Sequence, residues 1–189
     1  MSTQLHAVPA TTAAYEPTPV TSRRLRIITV LPIVLFLPSL ISFFTTKAGT
    51  IWPEYPGIFF HLAILPVVAN LRAPRWVQSA GYGWVAIDVL AGVLAINGLP
   101  YDTYWPIRMG GHVLAGTWLI GTSVVSSAWA IRVVGVVTGL DLGGYSLVGN
   151  VLPMAYVYPG GVLIVIWLTL LAVNAPSIAA ATGSRPAQE

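Results

Sequence analysis

DVLAGVLAINGLPYDTYWPIRMGGH, residues 88–112, is the stretch on which the reading of this chain turns. It begins halfway along one apolar run, leaves through a segment rich in Pro and Tyr, and enters another. It places Asp88 where only apolar side chains are expected, then brings Asp102, Arg108 and His112 within a few residues of one another. No other stretch away from the two ends is as dense in ionisable groups.

The flanking sequence explains why these charges stand out. The chain has 189 residues, of which 56% are hydrophobic and only 8% charged, with a mean hydropathy of +0.77. Soluble domains carry about 25% charged residues. A surface facing water cannot be built from so few, so the composition points to a multi-pass, all-α membrane protein of the cell membrane. The net charge of +3 is spread along the chain and does not indicate a nucleic-acid partner. With no cysteine there is no disulfide, thiol chemistry or Fe–S cluster to consider.

Five apolar runs are legible, at about 27–44, 56–71, 76–98, 110–131 and 151–173. At about 1.5 Å per residue each approaches the roughly 30 Å of a hydrocarbon core, the second only marginally. Residues 1–22 and 176–189 read as disordered tails, leaving 23–175 as a five-helix transmembrane domain. The first run follows Arg23, Arg24 and Arg26 but lacks a small-residue cleavage site after it, so it reads as a first span rather than a signal peptide. Residues 99–109 read as a connector, and 133–150, with four glycines between Gly139 and Gly149, as a loop. The sequence Tyr158-Pro-Gly-Gly161 predicts a kink or break in the last run.

Orientation follows from the basic residues. An inner N-terminus puts Arg23, Arg24, Arg26, Arg72, Arg75 and Arg132 inside and only Lys47, Arg108 and Arg185 outside. Five spans then place the C-terminus outside. On that topology His61 and His112 lie early in helices entering from outside, and Asp88 about 15 Å below the outer end of its own. The expected polar site therefore belongs to the outer half of the bundle.

Helical spacing puts Gly81, Asp88, Gly92 and Ala95 on one face, and His112, Gly116, Ser123 and Ser127 on another. Small residues let membrane helices approach closely, so both faces should point inward. Burying Asp88 costs roughly 2.5–3.5 kcal/mol on the insertion scale, which marks it as a functional candidate. The expected catalytic set is Asp88 as acid/base with His61 and His112. The expected ligand-binding set is Arg108, Asp102 and Glu54. Arg108 either pairs with Asp102 in the connector or holds an anionic head group at the mouth of the bundle. Two imidazoles on different helices also suit a haem or a metal, the lesser reading of these histidines; nothing in the spacing specifies a cofactor.

Phosphate loops, HExxH, CxxC and G-x-S-x-G are absent from the sequence. Over eight residues, Pro53-Glu54-Tyr-Pro-Gly-Ile-Phe-Phe60 resembles the Pro–acid–Phe-Phe pattern of small bacterial membrane carotenoid cyclases, with a different spacing and no residue role carried over. The leading expectation is a membrane-embedded site that binds or transforms a lipid-like or isoprenoid molecule. The competing ones are an accessory or structural subunit without chemistry of its own, and a proton-coupled small transporter using Asp88. The partners considered are membrane lipids, a lipid-like substrate, a second copy of the chain, or other subunits of a membrane complex.

Overall fold

The structure is a computed structural model that describes residues 21–47 and 50–183, with the side chains of the last helix described as far as 180. Among these residues there are helices and no strand. Of the tails expected at 1–22 and 176–189, residues 1–20 and 184–189, with His6 and Arg185, lie outside the described residues.

The first helix, α1, spans Ser22–Thr45, and Thr21 caps it by accepting a hydrogen bond from the Arg24 amide at 3.3 Å. Pro32 and Pro38 lie inside it without ending it. Helix α2 spans Glu54–Asn70, with Glu54 in its first turn where a carboxylate complements the helix dipole. Helix α3 spans Arg75–Ile96. Gly98, at φ +84°, turns the chain, and Pro100 leads directly into α4, Tyr101–Val124. Residues 101–109 are thus helix and not a connector. Pro106 removes one backbone donor from the second turn without breaking it.

Helix α5, Trp129–Val148, occupies most of the segment expected to be a loop. Its glycines are a packing surface. A Cβ at Gly116 of α4 would lie 2.5 Å from the Gly139 carbonyl oxygen, and one at Gly139 would lie 2.8 Å from the Gly116 oxygen. Gly135, Gly139 and Gly143 repeat every four residues, so they share the face that lets the two backbones touch. A 3-10 turn, Met154–Val157, then leads into α6, Tyr158–Val173. The break expected at 158–161 is the start of this helix. Helix α7, Ala175–Gly183, begins where a disordered tail was expected, and Ala175 is buried.

Each helix from α1 to α6 packs on the next, and α6 returns to α1, closing a ring of six. Trp84, Trp118 and Trp167 fill its interior, fully buried, with ring centroids 5.5 and 5.3 Å apart in sequence. The Trp167 indole donates to Ser123 at 3.0 Å, tying α6 to α4. Outward, α1 presents Ile27, Val34 and Ile41, each 57% exposed, as one apolar stripe. Four helical segments are long and apolar enough to cross a membrane, namely Ser22–Thr45, Arg75–Ile96, Trp129–Val148 and Met154–Val173. Helices α2 and α4, which hold Glu54, His61, Arg108 and His112, are not among them, whereas α3, which holds Asp88, is.

The extra helix changes the topology. Arg26, Val30 and Ile33 near the start of α1 share a groove with Thr169, Ala172 and Val173 near the end of α6. At the opposite end Phe43 of α1 stacks on Tyr158 at the start of α6, 5.4 Å between centroids. The start of α1 and the end of α6 therefore lie at the same end of the ring, whereas a five-span count puts the termini at opposite ends.

The glycine contact yields a test. Gly139→Val forces a side chain into the α4 backbone and should destabilise the protein by about 1–3 kcal/mol in thermal unfolding in detergent. Gly144→Ala, where an added Cβ meets nothing within 4 Å, should be neutral or stabilising by about 0.5–1 kcal/mol.

Candidate functional site at the centre of the helix ring

Asp88 lies on the inner face of α3, 1% exposed, as the shared face with Gly81, Gly92 and Ala95 implies. Helices α2 and α4 pack on either side of it. Arg108 of α4 reaches Asp88 Oδ1 with Nε at 3.2 Å. Its two terminal nitrogens donate to both oxygens of Glu54 on α2, at 2.9 and 2.6 Å. One guanidinium thus grips Glu54 in the forked geometry that arginine favours and lies beside Asp88 as an ion pair without a hydrogen bond, joining two carboxylates on two other helices.

Two glycines make room for these carboxyl groups. A Cβ at Gly111 would lie 2.9 Å from Asp88 Oδ2, and one at Gly92 3.4 Å from a Glu54 oxygen. Larger residues there would press on the charged groups themselves.

His61 and His112 complete the cluster. Nε2 of His61 lies 3.8 Å from Asp88 Oδ2, and Nε2 of His112 lies 3.8 Å from Oδ1. His61 Nδ1 is 2.7 Å from the Gly57 carbonyl oxygen, which can only accept, so Nδ1 carries a proton. In the neutral ring that leaves Nε2 as a lone pair facing Asp88. His112 Nδ1 is buried without a hydrogen-bond partner.

Five of the six expected site residues, Glu54, His61, Asp88, Arg108 and His112, meet here. Asp102 does not. It is exposed in the first turn of α4. Six residues along an α-helix is a rotation of about 240°, so Asp102 and Arg108 project from different faces. Arg108 pairs with Glu54 instead. It is also no free anion hook, because three of its nitrogens already face carboxylates. His112, expected in the first turn of its helix, lies about 16 Å along α4 because that helix starts at Tyr101.

Beside the cluster is a cavity of about 110 Å³ inside the ring. Glu54, His61, Arg108 and His112 form its polar wall, and Phe36, Phe43, Leu142 and Ile164 its apolar one. Asp88 is not part of the lining; the imidazoles and Arg108 stand between it and the space. The apolar wall comes from α1, α5 and α6 and carries no local sequence signal. Asp141 of α5 sits against Gly160 in the first turn of α6, where free amides favour a carboxylate.

The histidines are poorly placed for an iron between them, since the Asp88 carboxyl faces both Nε2 atoms from that position. No group of three or more His, Cys, Asp or Glu among the described residues is arranged to hold a metal ion.

No family model, curated protein or solved structure matches the chain. Its class rests on its own features: among the described residues, helices without strands, several of them apolar enough to span a membrane, and a cluster of ionisable groups around the buried Asp88.

The bidentate pair can be tested directly. Arg108→Ala leaves the buried Asp88 and the part-buried Glu54 without their shared cation and should cost about 3–5 kcal/mol in detergent unfolding. Arg108→Lys should recover only part of this, because an ammonium cannot bridge both carboxylates in the same fork.

Proposed function

We propose that this chain is a multi-pass protein of the cell membrane whose helix ring encloses a site for a small lipid-like or isoprenoid molecule. The observation that carries this reading is the two-sided cavity. One wall is ionisable and the other apolar, which matches an amphipathic ligand with its polar end at His61 and His112 and its chain toward Phe36, Phe43, Leu142 and Ile164.

Within this reading His61 and His112 are the groups that meet the ligand. Asp88 acts as acid/base through them, with its oxygens 3.8 Å from both Nε2 atoms, a separation that must shorten for a proton to pass to His61. The chemistry supported is therefore binding with proton transfer at the polar end.

We further place the N-terminal end of the ring in the cytoplasm. Arg23, Arg24 and Arg26 at the start of α1, Arg72 and Arg75 beside the second connector, and Arg132 in the first turns of α5 all belong to that end. The start of α2, which supplies Glu54 to the cavity, then lies in the outer half. Reporter fusions after Thr50, Leu99 and Val151 should read as outside, and those after Ala73 and Ser127 as inside. A cytoplasmic signal after Val151 would restore the five-span arrangement.

Ligand binding is testable with a photoreactive long-chain alcohol and the protein in lipid nanodiscs. Cross-links should map to Phe36, Phe43, Leu142 or Ile164. They should disappear in Gly57→Leu, which fills the cavity from a position where a Cβ has room, 3.6 Å from Ser39 Oγ. Labelling confined to outward residues such as Leu90 and Val137 would overturn the reading in favour of an accessory subunit.

A further inference from the structure

We propose that the polar end of the molecule held in this cavity is cationic, an ammonium on an apolar chain, and that it binds in exchange for one proton of the Asp88 cluster. This rests on the amphipathic-ligand reading and names the head group that the site selects.

The first argument is charge balance. Glu54 of α2 and Asp88 of α3 are two carboxyl groups, and Arg108 of α4 is the single guanidinium between them. His61 and His112 add positive charge only by taking up a proton. The cavity wall from α1, α5 and α6 contributes Phe36, Phe43, Leu142 and Ile164 but no base. Asp141 of α5, against Gly160 of α6, only adds to the negative side. With both carboxyl groups ionised and both imidazoles neutral, the cluster carries one uncompensated negative charge in a water-poor interior, a costly state. One positive charge is needed, and it can come from a proton on Asp88, His61 or His112 or from a ligand.

The second argument is the chemistry of the wall. Phe36 and Phe60 pack with centroids 4.4 Å apart, and Phe43 and Trp84 also line the cavity. Aromatic faces attract cations and disfavour anions. His112 Nδ1, buried and unpaired, offers a lone pair to an N–H when its own proton sits on Nε2 toward Asp88. A phosphate or carboxylate would instead face Glu54 and Asp88 and would have to take Arg108 from both. A hydroxyl fits sterically but exchanges no charge. When the ammonium enters and the proton leaves to solvent, the net charge of the site is unchanged, and no other reactant is required.

The test uses the wild-type protein in nanodiscs and three probes of equal chain length: octylamine, octanol and octanoate. Each competes with the photoreactive alcohol at the cavity, and proton release is read with a pH dye in weak buffer against protein-free nanodiscs. Octylamine should compete at roughly tenfold lower concentration than the other two near pH 8, and its apparent affinity should fall by up to about tenfold per pH unit on acidification. Release should approach one proton per amine bound. Asp88→Asn should abolish the pH dependence, and the wild-type proton release stands even if that variant does not fold. Octanol or octanoate competing as well as octylamine, or octylamine binding without proton release between about pH 5 and about pH 9, would overturn the inference while leaving the amphipathic site in place. Absence of cavity labelling by the alcohol probe would remove both.

Discussion

Arg108 between Glu54 and Asp88 is the interaction on which this architecture depends. In a ring of helices with so few charges, each of these groups would be costly alone, and only their mutual contact makes burial tolerable. The bridge holds α2, α3 and α4 at fixed depth relative to one another, because a shift of one helical turn would pull a carboxylate out of reach. Gly92 and Gly111 belong to the same constraint, since they open the space the two carboxyl groups fill.

The histidines flank this centre. His61 is held from behind by the Gly57 carbonyl and presents Nε2 to Asp88, while His112 approaches the other carboxyl oxygen from α4. Asp88 is therefore a hub that three neighbouring side chains screen from the cavity. That arrangement has two layers: the imidazoles face the cavity, and the carboxyl behind them lies between the two rings and Arg108.

The remainder of the ring has a different physical basis. Hydrocarbon surroundings give apolar helices little hydrophobic reason to associate, so close packing and interhelical hydrogen bonds must do so. The Gly116–Gly139 backbone contact and the Trp84, Trp118 and Trp167 column meet that need, with the Trp167–Ser123 bond as a polar tie. The closure of α6 on α1 creates the cavity, because it brings Phe36 and Phe43 opposite the ionisable wall. The dry half of the ring and the charged half thus serve different ends: one sets the diameter, the other sets the depth.

The sequence by itself determined the class and one face. Scarcity of charge forces apolar helices outward, and the small residues spaced around Asp88 fix its inward direction, because periodicity along a helix is local information. It could not assign residues 129–148. Glycine weakens a helix in isolation, so a Gly-rich segment reads as a loop until a second glycine, Gly116, is seen touching it from another helix. Nor could it choose the partner of Arg108. Asp102 is near in sequence but on another face of the same helix, while Glu54 is near only after α2 and α4 pack around α3. The depth of His112 and the apolar wall of the cavity depended in the same way on where α4 begins and on how the ring closes. Those are outcomes of packing between distant segments, and only the tertiary structure decides them.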